Sequence, residues 1–387
     1  MDLRGRKLWA ARVTAVAGIA GAIVAIEAGR APRQQVPPPA PAATVAVEAS
    51  PARTGAPEAP EVRGISTWVN SEPVTLAGLR GKVVLVDFWA FSCINCIRTV
   101  PYLRDWHAKY SPRGLVVLGL HAPEFDFERP EANVREAVVR QGITWPVGLD
   151  NDFATWNAYA NRYWPRKYLI DRDGRIRYDR IGEGGYSDTE QWIRKLLAEA
   201  GARVDDIPIG MAEDGAVSPS VASSVTRELY AGSAWSGGSY LGNQPASNAG
   251  NVGTFEDAGA RSDGKIYLYG DWEVRRESVR HVDASVESDA YVAIRYTAAT
   301  VNAVAQADAV DAPARVIVTL AGKPLPDAMH GDDVRVDAGG ATYLDVGEAR
   351  LYNIVRGESV VTRDLELRVR SEGFSLYTFT FGAQGKP

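Results

Sequence analysis

The 387-residue chain has two cysteines, Cys93 and Cys96, and they close a run reading Lys82-Val-Val-Leu-Val-Asp87-Phe-Trp89-Ala-Phe-Ser-Cys93-Ile-Asn-Cys96. A lone pair so close in sequence cannot staple a fold, because closing so short a loop removes little entropy from the unfolded chain. The pair is there for its chemistry. The near-continuous apolar run before it reads as a strand buried on both faces. After it, Val100, Leu103, Trp106, Ala108 and Tyr110 suit an amphipathic helix over residues 93 to 111, with Pro101 as a kink. At the start of that helix Cys93 is expected to meet unpaired N–H groups and the positive end of the helix dipole, which favour its thiolate. Cys93 is then the attacking sulfur. Cys96, one turn further in and better covered, resolves a mixed disulfide by attacking Cys93. A zinc site wants four ligands, whereas no second cysteine pair exists and His107, His121, His281 and His330 are scattered, so no metal is expected.

The surrounding pattern is α/β. Residues 115 to 120 read as the next buried strand and residues 131 to 141 as a helix. Residues 168 to 171 and 176 to 178 form a hairpin about Arg172-Asp-Gly174-Arg, and residues 187 to 200 a last helix. Composition shifts after Gly201. Residues 205 to 224 are rich in Asp, Pro, Gly and Ser, and from about residue 225 helical periodicity gives way to short alternating strands. That half is expected to be a separate all-β antiparallel sandwich of jelly-roll type. The domain plan is thus residues 64 to 201, a linker over 202 to 224, and residues 225 to 387.

At the N-terminus, Arg4, Arg6, Lys7 and Arg12 precede an uncharged, mostly apolar run over residues 13 to 26, which reads as an export signal or membrane anchor within residues 1 to 30. Residues 31 to 63, of which 17 of 33 are Pro or Ala, read as an extended, disordered linker. The fold is therefore expected in a periplasmic or other extracytoplasmic space, secreted or anchored at the inner membrane. The formal charge of −5 implies no nucleic-acid partner. No second long apolar run occurs, so an electron path across the bilayer is expected from another protein.

The stretch Val86-Asp87-Phe-Trp89-Ala-Phe-Ser-Cys93-Ile-Asn-Cys96, with Pro101 five places on, resembles the active-site segment of thioredoxins, specifically the exported TlpA-like branch. The resemblance implies a thioredoxin fold whose only redox group is the Cys93–Cys96 disulfide, with no other cofactor. It implies that Asp87 is the buried acid handling the proton of the resolving thiol, and that Pro165 is a cis-proline beside the active-site sulfur. Trp164, Ile94 and Asn95 are the accompanying candidates for client contact. Residues 131 to 149 correspond to the helix-and-strand insertion of that branch. Ser92 stands where thioredoxins commonly carry Trp, and Ile94-Asn95 lacks the familiar Pro.

In the second half, Glu228-Leu-Tyr-Ala-Gly232, Gly270-Asp-Trp272-Glu and Arg350-Leu-Tyr352-Asn-Ile are similar to the carbohydrate-binding-module-like domain of DipZ-type proteins. The joint resemblance implies reduction of disulfides in exported proteins, with electrons from a membrane donor of the DsbD or CcdA kind. Two other readings stand beside it, a disulfide-forming oxidase and a glycan- or wall-binding adaptor acting through residues 225 to 387. For the last, Trp272, Tyr267 and Tyr269 are the rings able to stack on sugar.

Overall fold

The structure, a computed structural model, describes residues 55 to 210, 224 to 236, 240 to 249, 251 to 283 and 289 to 384. The expected signal or anchor lies outside the described residues, as do residues 31 to 54 of the first linker and residues 211 to 223 of the second. Among the described residues no helix is long and apolar enough to cross a membrane.

The first unit contains, in chain order, β1 (Trp68–Val69), β2 (Val83–Trp89), α1 (Ile94–Tyr110), β3 (Leu115–His121), α2 (Glu131–Arg140), β4 (Val147–Leu149), α3 (Ala154–Ala158), β5 (Arg166–Ile170), β6 (Ile176–Ile181) and α4 (Tyr186–Glu199). Its six strands lie in the order β1-β4-β3-β2-β5-β6. β2 runs parallel to β3 and antiparallel to β5. This is a thioredoxin fold in which α2 and β4 form the helix and strand expected over residues 131 to 149. β2 is buried along its whole length because side chains alternate across a sheet covered on both faces. Val83, Leu85 and Trp89 enter one core with Val100, Leu103 and Trp106 of α1, while Val84, Val86 and Phe88 enter a second core with Trp156, Tyr159 and Tyr168. By parity Asp87 shares the first face, the face that carries Cys96.

Both expected linkers are shorter than their composition suggested. Within residues 55 to 63, the Ala59 N–H donates to Gly174 O at 2.9 Å. Glu61 accepts the N–H groups of Leu76 and Ala77 at 2.6 and 3.0 Å. Val62 is buried. Past α4, Val204 is buried, Asp206 pairs with Arg113 at 2.8 Å and the Gly210 N–H donates to Glu190 at 2.8 Å. Single well-placed side chains thus anchor segments whose average composition reads as linker.

The second unit is β-rich, with an α-helical turn at Ser233–Ser236: β7 (Leu229–Tyr230), β8 (Pro245–Ala249), β9 (Val252–Phe255), β10 (Lys265–Val274), β11 (Val279–His281), β12 (Tyr291–Ala307), β13 (Ala314–Leu320), β14 (Lys323–Pro324), β15 (Arg335–Val336), β16 (Thr342–Val346), β17 (Arg350–Val369) and β18 (Phe374–Gly382). The pairings between its named strands are antiparallel, and the 12 strands belong to one hydrogen-bonded network. The link is β12, which pairs with β10 through Tyr291 to Arg295, then with β18 from Thr300 onward, keeping β17 on its other side. Its register against β17 shifts between Ala298 and Thr300. A strand that changes neighbours at a bulge turns a corner, which carries the sheet round without breaking it.

Candidate functional site

The dithiol stands where strand β2 hands over to helix α1. Cys93 is the N-cap of α1, in extended backbone conformation, and its carbonyl takes the Ile97 N–H at 3.0 Å. An extended strand entering a helix forces that arrangement, with the first helical N–H groups pointing back at the cap. Both cysteines are free thiols. Cys93 is partly exposed, whereas Cys96, one turn on, is 2% exposed. The order of access is the one expected from the sequence.

The charge balance at Cys93 is not the expected one. Hydrogen bonding from the Cys96 thiol favours its thiolate, and so does the Cys96 backbone N–H at the helix start. Burial and the carboxyl groups of Glu124 and Glu228 oppose them, and the net direction is upward from an ordinary thiol. The helix terminus is present, but surroundings brought by the tertiary fold outweigh it. Cys96 is pushed well above the usual thiol value by burial first, then by its hydrogen bond to Cys93, the Cys93 charge and Asp87.

Beneath the thiols, Asp87 is 3% exposed, and burial pushes its carboxyl up to about 7 while the Lys167 ammonium pulls it down. Asp87 and Lys167 are register partners across β2 and β5. Lys167 shares its sheet face with Leu169, which lies in the same core as Cys96. Fully buried, it donates to Gly182 O at 3.1 Å, and burial lowers its affinity for a proton against the pull of Asp87 and Cys96. An acid near neutrality, a buried amine and a buried thiol thus share one electrostatic environment, in which each shifts the proton affinity of the others. Sequence reasoning does not single out Lys167; its signal is a lysine that follows Arg166 and opens the buried part of the strand, two places after Pro165.

Pro165 is buried and the Trp164–Pro165 peptide bond is cis. Trp164 and Cys93, both partly buried, pack against one core cluster, and the Trp164 indole N–H donates to Ala122 O at 2.9 Å. Ile94 is buried and lines a cavity of about 350 Å³ with Phe91, Ile97, Val100 and Leu351, while Asn95 is partly exposed and its carbonyl takes the Thr99 hydroxyl at 2.8 Å. His121 packs edge-on to Trp89 and stacks on Phe91, and burial lowers its pKa to about 3, so it stays neutral.

A second acidic group closes the other side. Glu128, fully buried, accepts the Ser92 N–H and hydroxyl on one oxygen at 3.0 and 2.8 Å, and the N–H groups of Glu124 and Phe125 on the other at 2.6 and 3.2 Å. The Tyr230 hydroxyl, from the β unit, donates to Glu124 at 2.6 Å. Around this contact Tyr377 packs on Phe125 and Phe127, with ring centroids 5.2 and 4.8 Å apart.

Of the rings able to stack on sugar, Trp272 is 0% exposed and Tyr267 is buried with its hydroxyl taking the Ser262 N–H. A ring enclosed in the core has no face to offer. Tyr269, 39% exposed, stacks on Tyr291 at 5.0 Å. Among the described residues, no group of three or more His, Cys, Asp or Glu side chains is arranged to hold a metal ion.

Residues 54 to 193 match the Redoxin family, and residues 226 to 382 match a family described as thioredoxin-like C-terminal domain. The chain is 33% identical over 334 residues to protein DipZ of Mycobacterium tuberculosis, covering 84% of this chain and 43% of that protein. It therefore spans less than half the length of the DipZ proteins it matches. It is also 32% identical over 141 residues to the thiol-disulfide oxidoreductase YkuV of Bacillus subtilis, covering 36% of this chain and 94% of that one. A third relative, the thiol-disulfide oxidoreductase ResA of Bacillus thuringiensis, is 29% identical over 139 residues, 36% of this chain and 76% of that one. With a dithiol at the helix start of a thioredoxin fold and a match that covers 94% of YkuV, the chain belongs to the thioredoxin-like thiol–disulfide oxidoreductases.

Proposed function

We propose that the chain is an extracytoplasmic reductase of protein disulfides. The observation that carries this reading is the contrast between the two sulfurs, Cys93 open to a partner and Cys96 enclosed with Asp87 and Lys167. Cys93 attacks a client disulfide as its thiolate, breaking the client S–S bond and forming a mixed disulfide. Asp87 takes the proton of Cys96, whose thiolate attacks the Cys93 sulfur and releases the reduced client. The Cys93–Cys96 disulfide is then reduced by a membrane donor of the DsbD or CcdA kind. Pro165 and Trp164 shape the client groove, with Asn95 beside it; Ile94 belongs to the wall rather than the open surface. The basic-then-apolar N-terminus supports export and anchoring, and the clients are disulfide-containing exported proteins. Any glycan contact of the carbohydrate-binding-module-like unit is to be sought at the exposed Tyr269 stack.

Direction is supported by the upward push on Cys93, since a thiolate that is costly to keep favours oxidation of the dithiol. Two measurements test the reading. Cys96→Ser should accumulate client proteins as mixed disulfides on Cys93, and an absence of trapped species in whole cells removes the exchange cycle. Equilibration against glutathione should give a potential below about −230 mV; a value near −120 mV, that of a strong oxidant, overturns the reductive direction.

A further inference from the structure

The two folded units meet beside the dithiol, and the meeting point is acidic from both sides. Glu124 follows β3, and Glu128 ties its N–H to Ser92, the residue before Cys93. From the β unit come Glu228, just ahead of β7, and Tyr230 at its end. Tyr230 donates to Glu124 Oε1 at 2.6 Å, and the Thr378 hydroxyl donates to Glu228 Oε1 at 3.4 Å. β7 is held in place by pairing with β18, Leu229 opposite Phe379 and Tyr230 opposite Thr378. Phe125 packs against the Tyr230 ring at 6.3 Å. Backbone pairing on one flank and ring packing on the other give this contact a defined geometry.

We propose that the β unit completes the redox site: Glu228 and Glu124, the latter held by Tyr230, form a carboxyl pair that brings titratable negative charge to the Cys93 sulfur, so that thiolate formation is set across the boundary between the two units. This deepens the reductase reading and rests on it only for the direction of electron flow. Glu228 and Tyr230 are positioning residues, acting on Cys93 through charge and through Glu124.

Two carboxyl groups sharing one partly enclosed site cannot both ionise freely. Burial pushes Glu228 up to about 7, and burial followed by the charges of Glu228, Glu128 and Glu277 pushes Glu124 well above the carboxylate range, against the hydrogen bond from Tyr230. Glu277, which accepts the Asp126 N–H at 2.8 Å, has Arg276 and Arg129 as its own counter-charges. Above pH 7 the pair gains charge, and that charge disfavours the Cys93 thiolate. When the dithiol reduces a client, two S–H bonds and the client S–S bond break, and the Cys93–Cys96 bond and two client S–H bonds form. Negative charge at Cys93 penalises the reduced, ionised side of that balance and so favours electron donation.

The test titrates Cys93 in the full, reduced chain by the pH dependence of its first alkylation by iodoacetamide, the second requiring the buried Cys96. Glu228→Gln and Glu124→Gln should each lower the Cys93 midpoint, raising the thiolate fraction at pH 8 by about threefold, and the double variant by about tenfold. The double variant should also lose the inflection near pH 7 that Glu228→Asp retains. A double variant with the parental melting curve, midpoint and inflection overturns the proposal. If the double variant does not fold, Glu228→Gln decides alone, a parental midpoint and inflection overturning it. Because alkylation reads the thiol whichever way electrons run, an oxidising potential would defeat the reductase reading and leave this result standing.

Discussion

Two acids with the same apparent set point flank the dithiol for different reasons. Asp87, on the inner side, and Glu228, on the outer side, are both pushed up to about 7. The inner acid sits in one continuous sheet, where strand register puts an amine opposite it. The outer acid meets other acids and a phenol at a boundary between two units. The inner arrangement sets acid and amine side by side on the buried face that carries Cys96, which supports the proposed proton transfer. The outer one gathers carboxyl groups and a phenol and acts on Cys93 as accumulated charge. An acid's titration point therefore does not reveal its role; the sign of its neighbours does.

The comparison breaks most visibly at Asp87. Asp87→Asn should slow resolution of the mixed disulfide about 10- to 100-fold at pH 7 while leaving the first attack by Cys93 nearly unchanged, as stopped-flow thiol release will separate. The same variant has a stability signature. A carboxyl whose folded value is raised favours the folded state fully only below its unfolded value, and that contribution is lost as pH rises towards about 7. Asp87→Asn should thus be more stable than the parent by about 2 kcal/mol at pH 8 and gain nothing at pH 3, by urea midpoints. Equal midpoints at pH 8 would mean that burial does not raise the Asp87 carboxyl.

Glu128 sharpens the contrast, being equally buried but satisfied by four donors. Glu128→Gln turns an amide NH₂ toward N–H groups and should cost roughly 1 to 3 kcal/mol, opposite in sign to Asp87→Asn at pH 8. A gain in stability would show that these four contacts do not hold the loop. The smallest effect belongs to Arg98, which reaches the β unit at Thr300 across 3.5 Å and Glu183 across 3.6 Å. Arg98→Ala should change stability by less than about 1 kcal/mol and leave the Cys93 midpoint in place. A shifted midpoint would move the boundary's influence away from Glu228.

Much of the inner site was legible because it is local. Strand β2, the turn into α1, the two cysteines and Asp87 lie within 14 consecutive positions, residues 83 to 96, where apolar alternation and helix start are read directly. The short strands from residue 265 onward were legible in the same way. Two of them, β12 and β17, are 17 and 20 residues long, and their full extent was hidden because the bulge at Ala298 interrupts the alternation. The packed ends of both linkers were hidden for a different reason. Glu61 and Asp206 anchor them by partners that composition cannot indicate.

The amino-acid order alone determined the dithiol, its exposed and enclosed members, the buried acid on their strand and the two-part architecture, because each follows from neighbours along the chain. Tertiary structure alone decided that Lys167 opposes Asp87 and that Tyr230 meets Glu124 from 106 positions away. It also decided that Cys93 is pushed up rather than down. The physical reason is that the charge on a sulfur depends on the summed field of every group folded around it, whereas local sequence reports only the helix end on which it sits.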